Sequence, residues 1–305
     1  MRIYVAGHTG MLGSAIVRAL EARGYDDIVT NGFSWQRRVE LTNYHEVLTA
    51  FSMTKPDYVF MAAGAVGGIQ ANIDNPARFL GDNARMAMNV VDACKEYGAK
   101  LCYVGSSCIY PRECPQPMKE EYLWTGPLEP TNKGYAIGKL VGVEYAQMVL
   151  GSDALIPLPC NLYGHQDHYG ENGHVLASLV RRFVEAQDNG LPSVRLWGSG
   201  TAKREFLFVD DCADALVFLM ERGEHGIVNV GSGQDWTIRE LAYMIAMRVL
   251  YHQGAIEWDT SKPDGMPRKC LDVSRLTAMG WQPKISLEDG IERTIAEYRA
   301  TKERT

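Results

Sequence analysis

A glycine-rich segment near the start of the chain places the strongest limit on its fold. A short apolar run, Arg2 to Ala6, is followed at residues 7–13 by GHTGMLG and then by a stretch with apolar residues at helical spacing. Strand, glycine-rich turn and helix in this order are typical of a dinucleotide-binding unit. Gly7 permits the tight turn, Gly10 lets the backbone approach a pyrophosphate, and Gly13 lets the helix pack close to the strand. The N-terminus of the helix would then face the phosphates.

Strands and helices continue to alternate along the first half of the chain. Buried strands are predicted at Asp57 to Ala62, Lys100 to Val104 and Leu155 to Cys160, and long helices at Arg78 to Tyr97 and Thr131 to Leu150. This alternation predicts an α/β fold with a Rossmann-type doubly wound parallel sheet.

The second half is less regular, and helices are predicted in it near His174–Ala186, Asp210–Glu221, Thr237–Val249 and Ser286–Tyr298. Thr237 and Glu240 form a capping box at the start of one of them. We expect residues 1–163, with parts of 205–232, to form the nucleotide-binding Rossmann domain. We expect residues 164–305 to form mainly a smaller α/β substrate-binding domain, interleaved with the first.

Composition excludes several classes of function. With 305 residues, 46% hydrophobic residues and a net charge of −6, the chain can bury a large core and lacks the basic balance of a nucleic-acid-binding protein. No apolar run approaches the ~18 residues needed to cross a membrane. The start at Met1 leads directly into a strand, so no signal peptide is expected. Seven cysteines without a CxxC pair favour a reducing cytoplasm and no zinc site, and His165 and His168 have too few acidic or Cys partners to predict a metal.

The residues best suited to catalysis are Tyr135 and Lys139, with Ser106 upstream. A Tyr and a Lys four residues apart share one face of a helix. The ammonium is expected to lower the phenolic pKa towards working pH, and the Ser106 hydroxyl could hold a substrate oxygen beside the Tyr. Cys108, two residues from the Ser, indicates a second reaction at the same site. Ser106 and Cys108 follow a strand of the predicted parallel sheet, and Tyr135 and Lys139 lie on the next helix. Open parallel sheets bind their ligands at the carboxyl ends of the strands.

The residues at the end of the second predicted strand favour a nicotinamide cofactor that carries a 2′-phosphate. Asp27 to Thr30 does not end in the acidic residue that binds a free ribose hydroxyl, and Arg37 and Arg38 follow it. A guanidinium suits a phosphate at this position, so we expect NADPH.

Several motifs together resemble the GDP-L-fucose synthases, which are short-chain dehydrogenase/reductases of the extended type. The similarity runs nearly end to end and is carried by Gly7–Ala15, Val66–Ile69, Gly105–Pro111, Glu129–Asn132, Asn161–Gly164, Trp197–Thr201, Arg204–Phe206 and Lys262–Lys269. The resemblance implies the extended dehydrogenase fold, NADPH as hydride donor, and a homodimer that pairs the helices at 78–97 and 131–150. It implies a bifunctional enzyme that epimerises GDP-4-keto-6-deoxy-D-mannose at C3 and C5 and then reduces C4.

By the same resemblance, Ser106, Tyr135 and Lys139 are the reductase residues, and Cys108 and His174 are the epimerase base and acid. The implied cofactor contacts are Gly7, Gly10, Met11, Leu12, Gly13, Arg38, Leu41, Ala62, Ala63, Gly64, Tyr135, Lys139, Asn161 and Leu162. The implied GDP-sugar contacts are Ser107, Asn161, His174, Arg182, Trp197, Arg204 and Lys269. Thr9 stands where relatives hold an Arg against the NADPH 2′-phosphate.

The residue types suit this chemistry. Protons α to a 4-keto group are acidic, and the enolate that forms needs hydrogen bonds such as Tyr135 and Ser106 can donate. A thiol is an apt base because a nearby cation easily lowers its pKa, and an imidazole can return the proton. Each of these residues could instead have a purely structural role. Cys108 would then be a buried apolar residue, His174 would have no part in the chemistry, Trp197 would belong to the core, and Arg181 and Arg182 would form a solvated pair.

Other functions remain open on the same motifs. A 4,6-dehydratase would carry an Asp-Glu pair where Ser107-Cys108 stand, and a 4-epimerase needs no thiol. A reductase of a related GDP-4-keto-6-deoxy-heptose, with or without epimerase activity, is a closer alternative. A non-catalytic NADP-sensing protein is an alternative of another class, although it would not need Tyr135 and Lys139.

Overall fold

The computed structural model describes residues 1–30, 38–170, 173–251, 254–262 and 264–302. The strands are β1 (Ile3–Ala6), β2 (Ile28–Val29), β3 (Tyr58–Met61), β4 (Lys100–Tyr103), β5 (Ala154–Pro159), β6 (Asn161–Tyr163), β7 (Ser193–Trp197), β8 (Lys203–Phe208), β9 (Gly226–Val230), β10 (Asp235–Thr237), β11 (Ala255–Asp259) and β12 (Arg268–Lys269). The helices are α1 (Met11–Ala22), α2 (Tyr44–Thr54), α3 (Ile69–Asp74), α4 (Pro76–Tyr97), α5 (Lys133–Leu150), α6 (Val175–Asp188), α7 (Val209–Glu221), α8 (Ile238–Arg248), α9 (Ser274–Ala278) and α10 (Leu287–Lys302).

Six strands form one parallel sheet in the order β2-β1-β3-β4-β5-β9. Strands β1, β3 and β5 are buried along their whole length, as expected when helices cover both faces of a parallel sheet. Helices α4 and α5 pack against each other, and α1 packs against α7. The predicted doubly wound α/β fold is confirmed.

Smaller sheets follow in the second half. Strand β8 pairs in parallel with β6 and β12 and antiparallel with β10, and β7 pairs in parallel with β11. A second apolar core, separate from the one around the large sheet, lies between α6, α8, α10 and β8. Strand β9 returns to the edge of the large sheet beside β5.

Each of the predicted helices forms, with ends shifted by up to a few residues. Helix α1 begins at Met11, directly after Gly10, and residues Pro130–Asn132 form a 3-10 turn before α5. The capping box of Thr237 and Glu240 is present at the start of α8. Among the described helices, none combines the length and apolar character that a membrane crossing would require.

The sheet brings the predicted functional segments to one edge. The glycine-rich turn follows β1, residues 62–64 follow β3, and the Ser106–Cys108 segment follows β4. Because the strands are parallel, these segments emerge at the same carboxyl edge, where open α/β sheets bind ligands.

Candidate active site

Ser106 and Cys108 are held in a tight turn after β4. Ser106 caps a 3-10 turn at Ser107–Ile109, and its Oγ accepts a hydrogen bond from the backbone N–H of Cys108 at 3.1 Å. The Ser106 hydroxyl is also close enough to the side chains of Cys108 and Tyr135 to lower the pKa of each by hydrogen bonding. One hydroxyl therefore links the thiol to the phenol.

The Cys108 thiol lies beside a lysine from a distant strand. Lys269 Nζ is 3.3 Å from Cys108 Sγ, within hydrogen-bond reach. Burial raises the pKa of Cys108, but the Lys269 ammonium, the hydrogen bonds from Ser106 and Lys269, and the charge of His174 together bring this pKa below its usual value. The site thus favours the thiolate, the form that can act as a base.

Strand pairing delivers Lys269 to this position. Lys269 of β12 lies opposite Arg204 of β8, and the Arg204 guanidinium donates a hydrogen bond to the Met266 carbonyl at 2.6 Å. Burial lowers the pKa of Arg204, opposed by the negative charges of Cys108, Asp264 and Glu129. Two cations from neighbouring strands, Lys269 and Arg204, therefore lie near the Cys108 thiol.

His174 lies at the start of α6, with its ring against a buried carboxylate. Its Nδ1 is 3.0 Å from Asp167 Oδ1. The hydrogen bond to Asp167 raises the pKa of His174, burial opposes it, and the charges of Asp167 and Cys108 raise it further. The imidazolium and the Cys108 thiolate favour each other, so the proposed acid and base are both biased towards their working forms.

Tyr135 and Lys139 lie one turn apart on α5, and here one prediction is wrong. Burial raises the pKa of Tyr135, the Cys108 charge raises it further, and only the Ser106 hydrogen bond lowers it. Lys139 is buried, its Nζ donates to the Val104 carbonyl at 2.9 Å, and desolvation lowers its pKa to about 8. The expected lowering of the Tyr135 pKa by the Lys139 ammonium does not occur: burial raises this pKa, and the Lys139 charge is not among the effects that lower it.

The glycine-rich turn forms a cradle of the required shape. A Cβ on Gly7, where φ is +90°, would lie 2.6 Å from the Ala63 nitrogen, and one on Gly13 would lie 2.1 Å from the Gly7 carbonyl oxygen. Gly10 differs, because its Cβ would meet only that oxygen, at 3.4 Å. Gly10 also caps α1 without a side-chain hydrogen bond. The helix N-terminus and an open face at Gly10 fit a dinucleotide pyrophosphate.

Comparison with known proteins identifies the family. Residues 3–231 match the family described as NAD dependent epimerase/dehydratase. The chain belongs to this family. It is 48% identical to GDP-L-fucose synthase 1 of Arabidopsis thaliana, over 97% of this chain and 93% of that protein. It is 42% identical to the GDP-L-fucose synthase of Escherichia coli strain K12, over 99% and 98%.

The solved structure of a GDP-mannoheptose C4 reductase from Campylobacter jejuni, with NADP bound, is 31% identical, has a TM-score of 0.86 and covers 98% of each chain. These comparisons confirm the resemblance inferred from the motifs. They also confirm that this chain belongs among the epimerases and reductases that depend on a nicotinamide dinucleotide.

Some of the other predicted cofactor residues lie near the glycine-rich turn. Arg38 is close enough to His8 of the glycine-rich turn for its charge to lower the pKa of that imidazole, although burial lowers it more. Ala62, Ala63 and Gly64 follow β3; Ala62 and Ala63 approach the same turn, and Gly64 lies beside the Lys139 side chain. Arg37 lies outside the described residues.

Three predicted contacts have other partners within the fold. Leu41 is part of the main apolar core, Leu162 packs on the same core, and the Asn161 amide donates to the Glu205 carbonyl at 2.7 Å. Their contact with cofactor or substrate stays a prediction.

Four of the predicted GDP-sugar residues, Ser107, Lys269, Arg182 and Trp197, fall into two groups. Ser107, Cys108 and Lys269 line one small cavity. Arg182 of α6 donates a hydrogen bond to the Arg195 carbonyl of β7 at 2.9 Å. Trp197, at the end of β7, is 67% exposed and is therefore not a core residue.

Sequence reasoning missed two buried carboxylates. Asp167 carries no motif that points to a role, although it contacts His174. Glu205 accepts hydrogen bonds from the N–H groups of Gly233 and Leu271, both at 2.7 Å, and burial raises its pKa to about 7. Glu205 lies in a motif of the resemblance, but its partners come from other strands. It ties β8 to the segment that carries Lys269.

His165 has more acidic neighbours than the sequence indicated. Its Nδ1 is 3.2 Å from Glu297 Oε2, and its Nε2 is 4.0 Å from Asp210 Oδ2. Across the described part of the chain, no group of three or more His, Cys, Asp or Glu residues is arranged to hold a metal ion.

Proposed function

We propose that this protein is a GDP-L-fucose synthase, which epimerises GDP-4-keto-6-deoxy-D-mannose at C3 and C5 and reduces C4. The observation that carries the proposal is the grouping of Cys108, Lys269 and His174 beside the Ser106–Tyr135 pair. A reductase alone needs the Ser and the Tyr, whereas inversion needs a base and an acid as well. Relatives that share 42% and 48% of this sequence carry the same name.

The epimerase step uses the thiolate first. Cys108 removes the proton from C3 or C5, and the electron pair of the C–H bond moves into an enolate. Ser106 and Tyr135 donate hydrogen bonds to the oxyanion. The His174 imidazolium returns a proton to the opposite face of that carbon, so one proton leaves and one arrives. The raised pKa of Tyr135 suits this role, because the phenol stays protonated.

The reduction follows at the same carbonyl. NADPH, when bound, would supply the hydride for C4. Tyr135 then gives its proton to the C4 alkoxide, and Lys139 sits one turn away with its Nζ anchored on the Val104 carbonyl. With a pKa of about 8, Lys139 can exchange a proton near neutral pH and so can help to reprotonate the phenol. We propose that Lys139 also binds the ribose attached to the nicotinamide.

NADPH is the proposed cofactor, in preference to NADH. The support is Arg38, an exposed guanidinium beside the glycine-rich turn, and the NADP bound in the related heptose reductase. Thr9 supplies no charge to the 2′-phosphate, since a hydroxyl cannot form the ion pair that an Arg forms with a phosphate.

The substrate diphosphate would bind the cations Arg182, Arg204 and Lys269, and the exposed Trp197 ring would stack on guanine. Ser107 would line the sugar pocket beside Cys108. A GDP-4-keto-heptose is the second candidate substrate, favoured by the 31% identical reductase structure.

We further propose a cytoplasmic homodimer that pairs α4 and α5 of each subunit, with residues 1–163 and parts of 205–232 as the NADP domain and the rest mainly as the GDP-sugar domain. All seven cysteines are free thiols, which supports a reducing compartment.

The first experiment is turnover of purified protein with GDP-4-keto-6-deoxy-D-mannose and either NADPH or NADH, followed by nicotinamide absorbance and NMR of the product. Wild type should consume NADPH and form the C3,C5-inverted product. Cys108→Ser should lose at least ~10²-fold in inverted product, the usual contribution of a general base. Cys114→Ser, which changes a neighbouring partly buried thiol, is the matched control and should keep activity.

Each other outcome has a definite meaning. If wild type forms a product that is reduced at C4 but not inverted at C3 and C5, the protein is a 4-reductase without epimerase activity. Faster turnover of a GDP-4-keto-heptose would select the second candidate, and no oxidation of either nicotinamide would rule the assignment out.

A further inference from the structure

A buried carboxylate holds the ring that the proposed function uses as an acid. Asp167 lies in the loop after β6, and its side chain is only 1% exposed. Its Oδ1 lies 3.0 Å from His174 Nδ1 and accepts the backbone N–H of His168 at 2.7 Å. One carboxylate oxygen thus faces both a main-chain donor and the imidazole.

The second oxygen of Asp167 has no such support. Oδ2 is buried and has no hydrogen-bond partner among the described residues. A buried carboxylate with an unsatisfied oxygen is costly unless a cation compensates its charge. Within the described chain, the ring of His174 is the cationic group in contact with Asp167, so Asp167 favours the imidazolium form.

Packing alone does not fix the His174 ring. The side chain is 55% exposed and stands at the first position before α6, on extended backbone. Its contact with Asp167 engages Nδ1, and Nε2 has no hydrogen-bond partner in the part of the chain that the structure describes. Among the described residues, the titratable groups whose charges act on His174 are Asp167 from the loop after β6 and Cys108 from the turn after β4.

We propose that Asp167 is a positioning residue: its buried carboxylate binds His174 at Nδ1, so that the ring keeps one orientation and presents a protonated Nε2 to the substrate. This inference rests on the proposed epimerase function for its consequence, but the Asp167–His174 pair itself can be tested without any substrate. The carboxylate does not touch the reacting carbons; it acts through the imidazole.

The first test is a direct titration of His174 by NMR in wild type and Asp167→Asn, with the resonance assigned by its absence in His174→Gln. Loss of a carboxylate charge at this distance should lower the pKa of His174 by at least about one unit. Thermal melting checks that the near-isosteric variant is folded. An unchanged His174 titration in a folded Asp167→Asn would overturn the proposal.

The second test measures exchange of the C3 and C5 protons of GDP-4-keto-6-deoxy-D-mannose with deuterated solvent, without NADPH. Exchange is scored only where the deuterated carbon has the inverted configuration, because Cys108 alone could return a deuteron to the face from which it removed the proton. In wild type, this inverting exchange needs the imidazolium and should fall as pH rises through the His174 pKa. In Asp167→Asn this fall should begin about one pH unit lower, and exchange on the alkaline side should drop about tenfold or more. Asp167→Glu keeps a carboxylate and should hold the alkaline fall near its wild-type pH, even at a lower rate.

Glu297→Gln is the matched control. It removes the carboxylate that faces His165 at 3.2 Å and binds the Gln166 backbone N–H at 2.7 Å in the same loop, without touching His174. It should leave the pH profile of exchange in place. An equal shift in Glu297→Gln would mean that loosening the loop is the cause and would overturn the proposal. If wild type shows no exchange at all, the proposed function fails, whereas the NMR titration still decides the role of Asp167.

Discussion

At the scale of single residues, the chemistry depends on opposing effects of burial and charge at Cys108. Burial raises the pKa of the thiol, and a lysine at 3.3 Å reverses that effect with help from Ser106 and His174. The same burial acts unopposed on Cys94 and Cys102, and the pKa values of both are raised. In contrast to these two, the cysteine of the site is biased towards thiolate by the groups around it.

Replacing the lysine should reveal this balance. In Lys269→Met the Cys108 pKa should rise by about one to three units, because the opposite charge that favours the thiolate is lost. Below the new pKa, alkylation of Cys108 by iodoacetamide should slow about tenfold or more near neutral pH, with the midpoint of its pH profile moved upwards. Mass spectrometry of the labelled peptide, with Cys108→Ser as background, provides the measurement.

Lys203→Met is the control for general electrostatics, since Lys203 is an exposed ammonium on the same strand as Arg204. It should leave the alkylation profile unchanged. Equal reactivity of Cys108 in wild type and Lys269→Met would show that another group sets its pKa.

The sequence was informative about which residues meet, and less so about what their environment does to them. Spacing along one helix placed Tyr135 and Lys139 together, and the position after a central strand placed Ser106 and Cys108. The direction of the Tyr135 pKa was wrong, because burial is a property of the folded site and not of the motif. Asp167 and Glu205 were missed because their partners are set by loop conformation and by pairing of β8 with β12.

At the scale of elements, the turn between β1 and α1 allows a folding role to be separated from a binding role. In Gly13→Ala the new Cβ would lie 2.1 Å from the Gly7 carbonyl oxygen. Alanine favours a helix by about 1 kcal/mol over glycine, but overpacking against backbone costs typically about 1–3 kcal/mol or more. The clash should win, so we expect a melting temperature lower by at least about 3 °C and weaker NADPH binding.

Gly10→Ala is its matched partner. Gly10 has φ −84° and ψ 170°, which alanine adopts freely, and its Cβ would meet only the Gly7 oxygen at 3.4 Å. The melting temperature should stay within about 2 °C of wild type, since no strain arises, whereas NADPH affinity should fall at least about tenfold if the backbone approaches the pyrophosphate there. Fluorescence titration with NADPH measures this. Undiminished affinity in Gly10→Ala would mean that the cofactor does not approach this face.

Prediction by element succeeded where periodicity is local. The parallel strands and long helices of the first half were found because each carries its own apolar pattern. Helix α2 was missed although Asn43 caps it, accepting from the N–H groups of His45 and Glu46. Strands β10 and β12 have three and two residues, so their pairing with β8 is decided by tertiary contacts rather than by sequence pattern.

At the scale of the whole molecule, two apolar cores flank the site, and α5 carries both the Tyr135–Lys139 pair and an exposed apolar surface. Met148 of α5 is 79% exposed, Met88 of α4 is also exposed, and Tyr145 of α5 donates to Asp92 of α4 at 2.7 Å. Two such helix pairs, one from each subunit, could bury these methionines. The proposed dimer would thereby brace the helix that carries the catalytic pair.

Charge on this surface should separate the subunits. Wild type should have the mass of two chains by light scattering at micromolar concentration. Met148→Glu should shift the protein towards one chain, because burying an unpaired carboxylate costs several kcal/mol. Met247→Glu, at a methionine of α8 that is 67% exposed, is the control and should stay dimeric. A wild-type monomer, or dissociation by both variants alike, would contradict pairing through α4 and α5. If the monomer also loses turnover while keeping NADPH affinity, the interface supports the geometry of Tyr135 and Lys139 as well as the assembly.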